Sequence, residues 1–302
     1  MRIHNLLPAF EDFVRAAESA QDRPAERREA FERCYVEPNR TLLGPLLEDV
    51  ASWSEPLEKR LGRFDAKAAR ETLERLARDG HPQRAHRTVE AVERFLGAPL
   101  EGDLVLFGAL GRMDGYARFD RGSHVVYIGL DYPAEGSGGV DAATYFDILI
   151  AHELGHVVRE GRPGTWSALG ERIDMSHDDF VERVPFDEHM LGEGLSTALS
   201  EVLYPGHGSE AYLFFEPAQA RWCEAHDAEI AAVARRLYGT RQEHWFLYGR
   251  DAVAPGSPER TQYYWGWQVV KRLMRAGRDL RDLFATPAPE ILDLAGERRK
   301  SD

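Results

Sequence analysis

Residues 141–160 read DAATYFDILIAHELGHVVRE, and this stretch decides how the rest of the chain is read. Tyr145, Phe146, Leu149, Ile150, Val157 and Val158 make it apolar around most of its circumference, as in a buried helix. Asp141 is placed to cap the start, because its carboxylate can accept from the free amides of the first turn. Glu160 closes the run, with Gly161 and Pro163 just beyond it. Within this helix lies His152-Glu153-Leu154-Gly155-His156, an HExxH pattern. Residues i and i+4 share one helical face a turn apart, so two imidazoles can converge on one cation. Glu153 then sits beside the cation, where it can take a proton from metal-bound water. Two histidines and a glutamate in a buried helix cost free energy unless they find partners, and a metal ion is the partner this spacing suits.

A catalytic zinc needs a third protein ligand and an open fourth position. The metzincin pattern would put Gly at 159 and His at 162, but the chain has Arg159 and Arg162. A carboxylate from a later helix is the alternative, and Glu193 is the preferred candidate. Met190, Leu191, Leu195, Ala198 and Leu199 around it suit a buried helix, and Gly194 is expected to let that helix approach the first closely. Glu201, Glu188, His189 and His177 are the rival ligands. For the donor that a tetrahedral oxyanion requires, Tyr263 and Tyr264 of the YYWGW stretch at 263–267 come first, with His207 and His244 behind them.

Outward from this helix the texture divides. Residues 1–100 read as helices punctuated by Pro24, Pro38, Pro56, Gly80 and Gly97. From about residue 101 short β-branched and aromatic runs appear, Leu104–Leu110 and His124–Leu130, with a third strand expected at Met113–Asp120. A glycine-rich loop at 131–140 is expected to form a rim of the cleft. Further helices are expected at 187–203, 217–238 and 258–276. The strand at 124–130 has two readings: an exposed sheet edge to which an extended peptide could add, or an edge covered by the N-terminal helices.

HELGH followed 37 residues later by the glutamate of an EGL segment resembles the gluzincins, thermolysin-like peptidases with two histidines and one glutamate on zinc. With the HVVYIGL strand before it and the aromatic stretch after it, the region 100–276 also resembles a bacterial family of predicted zinc-dependent proteases. The resemblance implies one Zn²⁺ on His152, His156 and Glu193, Glu153 as general base, and a peptide or protein substrate. It further implies an α+β, mainly helical fold: a zincin-like core with a small mixed sheet and a helical C-terminal part, in a domain at 101–302 behind a helical segment at 1–100. Ser196 and Gln262 depart from that family's pattern. Thr197 stands where thermolysin-like enzymes carry an aspartate that orients a zinc-bound histidine, so Glu201 or Asp187 is expected to take that part.

Composition narrows the alternatives. The 302 residues carry a formal net charge of −13, which disfavours nucleic acid, since phosphate binding needs a basic footprint. Residues 131–230 hold five arginines, no lysine and 20 carboxylates, a field suited to a bound cation. No apolar run approaches a membrane span and no signal segment is evident, so a cytoplasmic protein is expected. Two cysteines, Cys34 and Cys223, make no disulfide framework. The competing readings are a binding or regulatory protein on a metallopeptidase scaffold, motivated by residues 1–100, and a zinc hydrolase acting on a non-peptide bond.

Overall fold

Four short strands form one mixed sheet: β1 (Arg2–Asn5), β2 (Asp103–Phe107), β3 (Gly115–Asp120) and β4 (Ser123–Gly129), in the order β1-β2-β4-β3. The computed structural model describes residues 1–20, 23–51, 57–169, 175–241 and 249–298, and the rest of the described chain is mainly helical. β1 runs parallel to β2, with Arg2 opposite Asp103, and β2 runs parallel to β4, with Asp103 opposite Val125. β3 is antiparallel to β4. All five residues of β2 are buried, as expected of an inner strand covered on both faces. The β3–β4 hairpin turns on Arg121 and Gly122, both at positive φ (50° and 80°), the geometry of a two-residue turn that follows the twist of the strands.

This order corrects two expectations. The strand at 124–130 is not an edge: β4 lies between β2 and β3 and is paired on both sides. The outer strand beside the HExxH helix is β3. Residues 1–100 are also not helical throughout, since Arg2–Asn5 supplies β1. Its sequence, RIHN, has a single apolar residue, and the partner strand lies about a hundred residues away. No local pattern announces it. Arg2 and His4 both bond the Asp103 carboxylate, at 2.7 and 2.6 Å.

Beyond β1 the described N-terminal residues form six α-helices, with a π-helical turn at Glu32–Val36 and a 3₁₀ turn at Glu37–Asn39, around an aromatic cluster. The Phe13 ring lies 5.0–5.7 Å from those of Phe64, Phe31 and Phe10. Tyr35 donates to the Gly108 carbonyl and accepts from the Gly108 amide, both at 3.0 Å, tying this cluster to the end of β2. One apolar core runs from Leu6 to Leu292 without a break at residue 100. A second, smaller cluster gathers Phe119, Leu169, Met175, Phe180 and Val184.

Three helices frame the other side of the sheet: the HExxH helix (Ala142–Glu160), the Glu193 helix (Phe186–Leu203) and the aromatic helix (Thr261–Arg275). The expected helix at 217–238 is broken at His226 into Pro217–Ala225 and Asp227–Leu237. The close crossings differ from expectation. A Cβ on Gly155 would lie 2.6 Å from the Ser196 Cα, so it is Gly155 that lets the first two helices meet. Gly194 instead faces Gly266, whose carbonyl carbon a Cβ would approach to 2.2 Å. The glycine-rich loop at 131–140 packs against the short helix Ser209–Leu213, with Gly138 beneath the Ala211 backbone, and is not a rim of the cleft. No described helix is long and apolar enough to cross a membrane.

Candidate metal centre

Asp141 caps the HExxH helix as expected, its carboxylate accepting from the Thr144 amide at 2.8 Å. The helical turn then sets His152 and His156 side by side, and the Gly155–Ser196 crossing brings Glu193 across to them. The Nε2 atom of His152 is 3.2 Å from Glu193 Oε2 and 3.3 Å from His156 Nε2, and His156 Nε2 is 3.4 Å from the same Oε2. These three atoms make a nearly equilateral triangle. Donors about 2.0–2.1 Å from a tetrahedral ion stand about 3.3–3.4 Å apart, so the triangle matches one face of such a tetrahedron. His152, His156 and Glu193 can hold a metal ion between them. The donor chemistry, two imidazoles and one carboxylate, fits a borderline divalent cation.

The proton equilibria at the centre favour a cation there too. Burial works against a charged His156, but Glu193, Glu153 and Glu160 outweigh it and push its pKa up to about 9. Burial raises the Glu193 carboxyl, yet the two imidazoles hold it well below the usual carboxylate range. Burial dominates at His152 and lowers its pKa. The group thus holds one proton on His156, which a bound dication would displace. Glu153 stands beside it with its pKa pushed up to about 8, by burial first and then by Glu193, Asp114 and Glu160, against the opposing pull of His156. β3 makes room for this carboxylate with Gly115, where a Cβ would lie 2.7 Å from Glu153 Oε1.

The centre opens into a cleft of about 300 Å³ walled by Asp114 and Gly115–Ala117 of β3, the His177–Arg183 helix and the start of the aromatic helix. Tyr263 belongs to this wall, its ring stacked on that of His152 with centroids 6.1 Å apart. Tyr264 does not. Adjacent helical residues point about 100° apart, and the Tyr264 hydroxyl donates to Asp227 at 3.2 Å. His207 is also absent from the cleft: it is exposed, and its amide donates to the Tyr212 hydroxyl. His244 lies outside the described residues.

The rival ligands are engaged elsewhere. Arg159 donates to both carboxylate oxygens of Glu188 at 2.7 Å, and Thr165 donates to one of them. Glu201 accepts from the Trp267 indole at 3.0 Å. His177 meets the Tyr116 hydroxyl at 2.8 Å and the Phe119 backbone. His189 comes nearest, its Nε2 3.6 Å from Glu193 Oε1. Neither Glu201 nor Asp187 orients a histidine of the pair, since Asp187 accepts from the Gly239 amide. The Nδ1 atom of His152 is buried without a hydrogen-bond partner among the described residues.

No family model, curated protein or solved structure matches the sequence.

Three residues that the sequence did not single out belong to the site's surroundings. Arg159 is 1 % exposed; besides Glu188 it donates to the carbonyls of Phe284 and Thr286 at 2.9 and 2.7 Å. It thereby fastens the C-terminal helices behind the HExxH helix, at the position where the metzincin pattern would have glycine. Phe214 sets its ring edge-on to His152 at 5.2 Å. Arg260 lines the cleft and donates to the Phe214 carbonyl at 3.0 Å. The pairing of Arg159 with Glu188 was hidden because both residue types are common on helix surfaces. Arg260 precedes YYWGW by three positions, but no spacing rule marks it.

Proposed function

We propose that this chain is a zinc-dependent peptidase of gluzincin type, with a zincin-like core formed by the sheet and the HExxH and Glu193 helices. The carrying observation is the triangle of His152, His156 and Glu193 donor atoms, with sides of 3.2–3.4 Å, and Glu153 one residue along. A zinc ion held there would supply an acidified water and a Lewis acid for a carbonyl. Glu153 takes a proton from the attacking water and returns it to the leaving amine; a carboxyl with a raised pKa suits both steps near neutral pH. Tyr263, stacked on His152 in the cleft wall, is the donor we assign to the developing oxyanion. The backbone of Gly115–Ala117 on the outer strand lies along the cleft, where the main chain of an extended peptide can bond it. Cys34 and Cys223 are both free, in keeping with work in the cytoplasm.

The alternative of a binding or regulatory protein on this scaffold draws no support from the N-terminal part. None of the described residues 1–100 lines the cleft, and β1 belongs to the same sheet as the outer strand.

The test is metal content and turnover in parallel. Purified protein should carry close to one zinc and cleave a peptide library. Glu153→Gln should keep the metal and lose turnover by roughly 10²–10⁴-fold, the usual contribution of a general base. Full activity in that variant would overturn the mechanism, and a protein that takes up no zinc would overturn the function.

A further inference from the structure

Arg260 is the one feature of the cleft that metal binding and proton transfer leave without a task. Its backbone is left-handed, with φ 62°, a strained conformation for a non-glycine residue that collects at functional sites. Phe214, which also lines the cleft, shares it with φ 54°. The two strained residues are joined by the hydrogen bond from the Arg260 guanidinium to the Phe214 carbonyl. The guanidinium carbon also stands 5.6 Å from the ring centroids of both Phe215 and Tyr263. The side chain is therefore held over aromatic faces beside the ring that stacks on His152, and it is half-buried.

What it lacks is a carboxylate. Among the described residues no Asp or Glu oxygen lies within 4.0 Å of its nitrogens, whereas Arg159, the other arginine of the cleft wall, is taken up by Glu188. Asp114 is engaged too, accepting from the Tyr145 hydroxyl and the Gly115 amide. A planar guanidinium with donors to spare, fixed by ring stacking, is the side chain best suited to a carboxylate.

Resting on the peptidase reading above, we propose that Arg260 is a specificity-determining residue that binds a substrate carboxylate while the neighbouring peptide carbonyl sits at the metal centre. Two sources share that chemistry: the free α-carboxylate at a peptide's C-terminus and an Asp or Glu side chain near the scissile bond.

The experiment uses zinc-loaded full-length protein and matched peptides, each made as the free acid and the C-terminal amide, and each with Glu or Gln near the scissile bond. Turnover is followed in the native protein, and binding by calorimetry in Glu153→Gln, which should hold peptides uncleaved. The native protein should favour the carboxylate member of one pair by roughly tenfold to a hundredfold in kcat/KM, the scale of one charge-assisted hydrogen bond in a half-buried site. Arg260→Gln should abolish that preference, bringing the ratio of kcat/KM within each pair to about one whatever the overall rate, and Arg260→Lys should restore part of it. Misfolding would slow both members alike, so the ratio within a pair reads the contact itself. A preference for the free acid identifies the α-carboxylate, and a preference for Glu over Gln identifies the side chain. Equal use of both members in both pairs, or a preference that survives Arg260→Gln, overturns the assignment and leaves the peptidase intact. Failure of the zinc-loaded native protein to cleave any peptide overturns the peptidase reading and the assignment with it.

Discussion

The three helices around the candidate metal centre and the helical N-terminal part are stabilised by opposite means. In the first region charges are buried and answered in place: Arg159 is 1 % exposed and Glu188 3 %, with both carboxylate oxygens bonded. In the second, aromatic rings fill the interior and, Arg27 apart, the charged side chains stay largely outside. Arg28 pairs with Glu58, and Arg15 with Glu11, on side chains more than half exposed. Such exposed pairs contribute about 0–1 kcal/mol. Removing one partner of a buried pair costs about 3–5 kcal/mol, because it strands the other charge. A polar interior is tolerated where a site requires it, and apolar packing suffices where none does.

Four tests, with five substitutions among them, probe this contrast from the strongest effect to the weakest. Glu188→Gln should lower unfolding free energy by about 3–5 kcal/mol in a denaturant titration, whereas Arg15→Ala should stay within about 0.5 kcal/mol. A small loss for Glu188→Gln would erase the distinction between the regions.

His81 is the exception inside the N-terminal part, buried at 2 % exposure with its ring edge-on to Phe146. Burial lowers its pKa from 6.5 to about 4, with Arg84 and Arg75 helping and Asp79 and Asp141 opposing. Because the folded-state pKa lies below the unfolded one, this group's support is complete above pH 6.5 and fades as pH falls through about 4. The loss is at most about 3 kcal/mol. His81→Leu should flatten the stability–pH curve in that window, measured by thermal unfolding between pH 7 and 4.

Glycines give the third and fourth tests. Gly194→Ala would drive a Cβ into the Gly266 backbone, so a loss of about 1–3 kcal/mol is expected. Weaker zinc binding should accompany it, since Glu193 is the adjacent residue. Gly62, in the helix Leu57–Arg63, has nothing within 4 Å of its added Cβ. Gly62→Ala should therefore stabilise by about 0.5–1 kcal/mol through helix propensity. Opposite signs for one chemical change would place the tight packing at the site and the slack away from it.

Legibility followed the range of the interactions. The HExxH helix, its Asp141 cap and its end before Gly161 follow from neighbours within four residues, and they stand where the sequence places them. Glu193 was reachable because a carboxylate in the middle of an apolar helix, away from its first turn, is conspicuous. β1 was not, because RIHN acquires its strand character only against β2. Tyr263 and Tyr264 look alike in a string, and helix phase alone sends one to the cleft and the other to Asp227. Gly194 was assigned to the wrong partner helix for the same reason. A glycine announces a close approach, but the element it admits is set by the tertiary arrangement.

The helix crossings at Gly155–Ser196 and Gly194–Gly266 have an evolutionary corollary. Main chain abuts main chain or the first atoms of a small side chain there, so the spacing of the donor triangle does not depend on large side chains at the mouth of the cleft. Position 260 is then free to drift, and descendants of this scaffold could acquire new appetites while keeping the same donor triangle.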